Sequence, residues 1–247
     1  MRILRAAIVI WAVLMCALGA AFCAFPYIEG NIKEQQIQQE VNLFKDRLET
    51  MPTEPPTSVM ETSPREHEGL WNDMVAYNQH LLETEQSGLT DPWAYQQSSF
   101  RLKSYGFNDE VFGLISIPKL DVELPIYLGA TDINMAAGAA HLSQTSLPIG
   151  GENTNCVIAG HRGYGAYPYF RYIAELQAGD EVIITNLWET LRYTVTDTKI
   201  IQPNEVNEIL IQEGREILTL LTCHPYASGG KQRYLVYCDR VVEEVQP

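Results

Sequence analysis

The sequence is poor in basic residues. It has 17 Lys and Arg against 31 Asp and Glu, which gives a formal net charge of −14 at pH 7. Proteins that bind nucleic acid need clustered Lys and Arg to contact the phosphates, so we expect no nucleic-acid partner. Much of the acidity lies in residues 29–110, where it is typical of solvated helices and linkers.

Metal-binding motifs and internal repeats are also missing. No two Cys or His residues stand at the spacing of a CxxC or HExxH motif, so we expect no metal site. We expect no cofactor either. No segment recurs with a period of about 20–50 residues, which excludes a solenoid or a propeller.

Cysteines are few, and their spacing does not indicate a small disulfide framework. Cys16 and Cys23 lie inside the first apolar run. Cys156 and Cys238 fall in strand-like sequence, where cysteine is usually a small buried apolar residue. A disulfide between these two stays open. The fifth, Cys223, stands at the end of an apolar strand.

One apolar run is long enough to cross a membrane. It covers residues 6–28, and 23 residues at about 1.5 Å each span a hydrocarbon core of about 30 Å. Arg2 and Arg5 precede the run and acidic residues follow it, which places residues 1–5 in the cytoplasm and the rest outside. Small residues at 17–24 also fit a cleaved signal peptide. The run is long for that, so we favour an uncleaved anchor.

Residues 29–106 connect this anchor to the rest of the chain. In 29–69, apolar residues at helical spacing precede four prolines, which predicts a helical and proline-rich linker. Residues 70–86 have apolar residues at helical spacing and predict a second helix, packed by its Trp71 and Leu81 side. Residues 87–106 form a loop and a connection.

From residue 107 to 247 the pattern is mainly β. Alternating or apolar segments at 111–117, 122–127, 180–185, 191–201 and 215–223 predict strands. Short helical pieces fit 169–175 and 204–212. Pro125 indicates that its strand is an edge strand or an irregular one. Many strands with few long helices favour a closed barrel.

Three polar residues stand at the ends of apolar strands. Ile217–Cys223 predicts a buried strand that ends on a cysteine, and the next strand, residues 233–237, would run antiparallel to it. This hairpin would set the Arg233 guanidinium near the Cys223 sulfur, and a thiolate needs such a neighbour. A third apolar strand ends on His161. Together these residues predict a nucleophilic site.

The segment Thr219-Leu220-Leu221-Thr222-Cys223 resembles the TLxTC signature of sortases, the cysteine transpeptidases of Gram-positive cell surfaces. The resemblance covers roughly residues 70–243 and implies a closed sortase-type β-barrel preceded by helices and a membrane anchor. It also implies that Cys223 attacks the Thr carbonyl of an LPxTG-like sorting signal. His161 would protonate the departing Gly amine, and Arg233 would stabilise the oxyanion. Thr222 and Tyr226 would shape the substrate groove.

A second motif resembles one sortase subgroup. Asp91-Pro92-Trp93 matches the Asp-Pro-aromatic lid of class C sortases, which build pili. In this resemblance Asp91 would pair with Arg233, and Trp93 would cover the Cys223 sulfur. The implied partners are pilins that carry a sorting signal and an acceptor lysine. The chain departs from the subgroup because no apolar span follows the barrel up to Pro247.

Two other functions stay open. A housekeeping-type sortase would use a peptidoglycan precursor as the acceptor, which the lid-like motif argues against. An inactive membrane-anchored barrel that only binds partners would not need Cys223, His161 and Arg233 together. An unrelated cysteine hydrolase would carry other motifs around its cysteine. We therefore expect a single-pass membrane enzyme with an extracellular catalytic domain.

Overall fold

Eight strands form a closed barrel. The computed structural model describes residues 2–50, 67–89 and 97–241. The strand order around the barrel is β1-β2-β3-β4-β7-β8-β6-β5. The strands are β1 (Val111–Ile117), β2 (Val122–Leu128), β3 (Ala139–His141), β4 (Thr154–Ala159), β5 (Glu181–Thr185), β6 (Thr190–Ile201), β7 (Glu216–His224) and β8 (Gln232–Arg240). The prediction of a mainly β fold with a closed barrel is confirmed.

Among the described residues the helices are few, and most of them are short. The α-helices are α1 (Arg2–Thr50), α2 (Glu68–Glu83) and α3 (Asp132–Ala137). Single turns of 3-10 helix occur at Leu102–Tyr105, Pro118–Leu120, Ile173–Glu175 and Val206–Ile209. The two short helical pieces expected at 169–175 and 204–212 are therefore only single turns.

Helix α1 joins two segments that the sequence pattern separates. It runs unbroken for 49 residues and contains Pro26. Its apolar side chains from Ile8 to Ile28 are largely exposed, as expected for a segment that contacts lipid rather than protein. Within the described residues, this is the one helix long and apolar enough to cross a membrane.

The second half of α1 packs on the barrel. Ile37, Val41 and Phe44 are fully buried in the main core. Arg47 donates from Nη1 to the Val111 carbonyl at 3.1 Å and forms an ion pair with Asp109. These contacts fix the second half of α1 against the barrel.

Helix α2 covers a loop that leads to β4. Leu70, Met74 and Leu81 are buried, and the Trp71 ring meets the Trp188 ring edge to face at 4.9 Å between centroids. Such aromatic pairs add about 0.5–1.5 kcal/mol beyond the area they bury. In the loop before β4, the Gln144 N–H donates to Tyr77 Oη at 2.9 Å and the Leu147 N–H donates to Asn78 Oδ1 at 2.8 Å. Helix α2 therefore supports this loop directly.

Strand β2 is not an edge strand, so that part of the expectation was wrong. It pairs with β1 antiparallel and with β3 parallel. Pairing with β3 begins only at Ile126, one residue after Pro125. The ladder on that side therefore does not need the N–H that proline lacks. The irregularity predicted from Pro125 is this late start of the pairing between β2 and β3.

Strand β7 lies between β4 and β8. It pairs parallel with β4, with Ala159 opposite Leu221, and antiparallel with β8, with Cys223 opposite Arg233. Residues Ile217–Thr222 are all buried, which explains the continuous apolar run, since both faces of this strand are covered. The register brings the ends of β4 and β7 and the start of β8 to one place.

Candidate active site

Cys223 and Arg233 are direct cross-strand neighbours. They are paired across β7 and β8, and residues directly opposite each other point to the same face of a sheet. Arg233 is only 6% exposed, and its Nη1 donates to the carbonyls of Gly230 and Gln232. A Cβ placed on Gly230 would lie 3.3 Å from both Cys223 Sγ and Arg233 Nη1. The sulfur and the guanidinium therefore flank the same small space.

His161 follows the end of β4. The Gly160 N–H donates to the Leu221 carbonyl at 3.0 Å, which continues the β4–β7 ladder by one residue. Because the two strands are parallel and in this register, His161 lies level with Cys223. The imidazole stacks on the Tyr164 ring, with centroids 4.7 Å apart and planes 17° apart, and Tyr169 meets it edge-on at 6.0 Å. These two rings set the orientation of the imidazole.

Burial governs the electrostatics of the site. It raises the pKa of the Cys223 thiol above the ordinary value of 9.0, and the positive charges of Arg233 and Arg162 offset only part of this. Burial also lowers the pKa of His161 from 6.5, with a smaller opposing effect from Asp132. Both shifts favour the neutral thiol–imidazole pair at neutral pH. A thiolate–imidazolium pair is therefore the minority form in this state of the protein.

Thr222 and Tyr226 have very different surroundings. Thr222 is fully buried, and its hydroxyl donates to the Gly160 carbonyl at 2.7 Å, which ties β7 to the residue before His161. The Tyr226 side chain is 54% exposed, and its hydroxyl accepts from Arg171 Nη2 at 3.0 Å. Tyr226 is thus exposed and held by Arg171, whereas Thr222 supports the strand ends from within.

The lid-like residues Asp91, Pro92 and Trp93 lie outside the described residues.

The structure adds Arg162 and Tyr164 to the residues found from sequence. Arg162 Nη1 donates to the Cys223 carbonyl at 3.2 Å, and Tyr164 stacks on His161. Both residues follow His161 closely in the chain, and this closeness is the one feature of the sequence that could have identified them. Sequence alone did not show that the Arg162 side chain crosses from the β4 end to the β7 end.

The buried cysteines are free thiols. Cys156 on β4 and Cys238 on β8 both pair with Leu218 of β7, so one strand lies between them. Two strand spacings of about 4.7–4.9 Å exceed the roughly 7 Å Cα limit for a disulfide, and the disulfide left open from sequence does not form. In the ranges that the structure describes, no group of three or more His, Cys, Asp or Glu side chains is placed to hold a metal ion.

Comparisons with known proteins agree with this geometry. A model of the sortase domain matches residues 115–241, just over half of the chain. Sortase D of Bacillus subtilis (strain 168) is 32% identical over 131 residues, which cover 52% of this chain and 63% of that protein. The chain thus spans less than two thirds of the length of this curated relative.

Solved structures match over a larger share of the chain. Sortase C1 of GBS pilus island 1 superposes with a TM-score of 0.70 at 28% identity and covers 85% of this chain and 96% of its own. Sortase C of Streptococcus pneumoniae gives a TM-score of 0.69 at 29% identity, with 83% and 97% covered. With the barrel, the cysteine–arginine strand pair and the family match in agreement, the chain belongs to the sortase family.

Proposed function

We propose that this protein is a membrane-anchored class C sortase. It cleaves an LPxTG-like sorting signal between Thr and Gly through a thioester on Cys223. It then transfers the acyl group to the side-chain amine of a pilin lysine. The single observation that carries this proposal is the cross-strand pairing of Cys223 with Arg233 beside β4, the strand that His161 follows.

The chemistry follows from the three side chains. The Cys223 thiolate attacks the Thr carbonyl carbon, and the carbonyl oxygen becomes an oxyanion beside the Arg233 guanidinium. The C–N bond then breaks, and imidazolium of His161 gives its proton to the departing Gly amine. In the second half, neutral His161 takes a proton from the lysine amine that attacks the thioester. The amide bond forms, the C–S bond breaks, and the thiolate and imidazolium are restored.

The class C assignment has two supports. Asp91-Pro92-Trp93 matches the lid pattern of that subgroup, and the solved structures reported above carry the name sortase C. In this proposal the lid residues restrain access to Cys223 and take no part in bond making. A lid has to open, and an exposed ion pair contributes only about 0–1 kcal/mol.

The membrane topology is part of the proposal. Residues 6–28 of α1 anchor the chain, residues 1–5 stay in the cytoplasm and the barrel lies outside the cell. The exposed apolar side chains along the first half of α1 support the anchor. Because the second half of α1 packs on β1, the barrel is held close to the membrane surface, where membrane-bound substrates are found.

The experiment is a polymerisation assay with the full chain in membranes and a pilin that carries a sorting signal. Cys223→Ala should abolish the high-mass pilin ladder, whereas Cys16→Ala, which removes an exposed thiol on α1, should leave it intact. An unchanged ladder with Cys223→Ala contradicts the proposal.

The same assay separates the acceptors and tests the lid. A pilin lysine should be used in preference to a peptidoglycan amine, and the reverse preference would favour the housekeeping function. Replacing Asp91 and Trp93 together should leave acyl-enzyme formation unchanged or faster. A slower acyl-enzyme step would show that the lid takes part in the chemistry.

A further inference from the structure

Three side chains that each follow a site residue in the chain contact one another. Arg162 follows His161, His224 follows Cys223 and Tyr234 follows Arg233; we call Arg162, His224 and Tyr234 the Arg162 cluster. Arg162 Nη1 lies 2.7 Å from His224 Nδ1. The Arg162 guanidinium lies 5.7 Å from the Tyr234 ring centroid, and the His224 and Tyr234 rings lie 5.8 Å apart at 30°.

The cluster lies on the opposite face of the strand ends from the nucleophile. Successive strand residues point to opposite faces, so His224 points away from the face that Cys223 and Arg233 share. Tyr234 packs against the main core, while Leu221 and Leu235, on the Cys223 face, belong to a second core cluster. The candidate site is therefore supported from behind by the Arg162 cluster.

One guanidinium nitrogen makes both key contacts of this support. Arg162 Nη1 donates to the Cys223 carbonyl at 3.2 Å and to His224 Nδ1 at 2.7 Å. The last ladder bond between β4 and β7 is the one from Gly160 to Leu221. Beyond it, Arg162 continues the link between the two strand ends, and it holds the backbone of the nucleophile itself.

This arrangement requires a neutral His224. Arginine is always a donor, so Nδ1 of His224 must accept, and the proton must be on Nε2. A second proton would place a hydrogen on Nδ1, facing an N–H donor, and a positive charge beside the guanidinium. Burial and, to a smaller extent, the charge of Arg162 lower the pKa of His224. Among the described residues, the Tyr234 ring also packs against His224, and Gln232 of β8 is the cross-strand partner of His224.

The geometry points to Arg162 as a positioning residue for Cys223, locked in place by neutral His224. Protonation of His224 releases Arg162 and slows attack by the sulfur. This inference rests on the proposed function, because it concerns attack by Cys223 on the sorting signal. It adds a pH-dependent contact that positions Cys223 through its backbone carbonyl.

The test compares two substitutions of His224 in the full chain. His224→Asn keeps an acceptor oxygen near the position of Nδ1 and does not titrate. His224→Phe keeps a ring against Tyr234 and has no acceptor. At neutral pH we expect acylation by a sorting-signal peptide to stay near wild type in His224→Asn. In His224→Phe, kcat should fall at least about ten-fold, the lower end of what one hydrogen bond from a charged group contributes, with KM little changed.

The pH profile gives the sharper result. As the pH falls through the pKa of His224, the wild-type acylation rate should lose an additional factor of about ten or more, beyond the one-proton loss that comes from the thiol. His224→Asn should fall with a one-proton dependence. Equal acid limbs in the two proteins, or equal kcat in His224→Phe and wild type, would overturn the inference.

A second readout separates this inference from the proposed function. Alkylation of Cys223 by iodoacetamide at increasing pH reports the thiol pKa without any substrate. Arg162→Gln should raise that pKa. Arg162→Lys should restore it in part, because lysine returns the positive charge but lacks the planar guanidinium that makes two hydrogen bonds. An unchanged thiol pKa in Arg162→Gln overturns the role of Arg162. Failure of wild type to acylate at all would instead contradict the proposed function. Melting curves of each variant serve as the control for folding.

Discussion

Replacing Gly230 with alanine would place a methyl group at the candidate site without changing any of its three side chains. The new Cβ would lie 3.3 Å from Cys223 Sγ and 3.3 Å from Arg233 Nη1. An attacking atom needs its target carbon about 3–3.5 Å away. The methyl group would therefore occupy space next to the sulfur that the substrate carbonyl carbon needs. We expect acyl-enzyme formation to fall about 10²-fold, as for a misplacement of about 1 Å.

Gly229 provides the matched control. Its φ is 71° against 77° for Gly230, and a Cβ there would meet nothing within 4 Å. Left-handed backbone costs a non-glycine residue about 1–2 kcal/mol, which corresponds to a drop in Tm of roughly 2–8 °C for a domain of this size. Both variants should lose similar stability. Only Gly230→Ala should lose acylation.

The assay follows the mass of the enzyme after mixing with a sorting-signal peptide, with melting curves measured in parallel. The reasoning is refuted if Gly230→Ala forms the acyl-enzyme as fast as Gly229→Ala does. It is also refuted if the two variants are equally slow, because the defect would then come from the backbone and not from contact with the sulfur.

Two further predictions concern the site residues themselves. Arg233→Ala should lower kcat/KM about 10²–10³-fold, the usual loss of about 2.7–4 kcal/mol for one oxyanion donor. The kcat/KM of Arg233→Lys should lie between those of wild type and Arg233→Ala, since lysine keeps the charge but not the planar guanidinium. A kcat/KM near wild type in Arg233→Ala would exclude Arg233 as the oxyanion donor. For pH, the thiolate is lost as pH falls through the pKa of Cys223, which lies above 9.0, and imidazolium is lost as pH rises through the pKa of His161, which lies below 6.5. The rate should peak between them, with only a small minority of the enzyme in the active thiolate–imidazolium form. Alkylation of Cys223 should be half-maximal above pH 9.0, and a midpoint near neutral pH would contradict the effect of burial.

The barrel and the site were accessible from sequence for different reasons. Alternation and turn residues show where strands occur, because the side-chain period of a strand is two. Arg233 could be placed near Cys223 from sequence because their two strands follow each other in the chain and form one antiparallel hairpin. His161 was a candidate because it ends an apolar segment, and the family resemblance supported it. Its approach to Cys223 depends on a parallel pairing between β4 and β7, which are distant in sequence and which the pattern does not pair.

Other features depend on contacts that a pattern does not contain. Pro26 suggests a break, yet α1 continues through it, since a single proline removes only one hydrogen bond and adds a local clash. Pro125 sits in a paired strand because pairing with β3 starts after it. The contact between Arg162 and His224 joins residues 62 positions apart, and neither residue carries a periodic signal.

The most direct measurement is a mass spectrum of the enzyme quenched during reaction with a sorting-signal peptide, followed by peptide mapping. The account predicts an acyl group on the peptide that contains Cys223, removed by hydroxylamine as a thioester is. An acyl group on Cys156 or Cys238, both buried, or cleavage of the substrate without an adduct on Cys223, would contradict it.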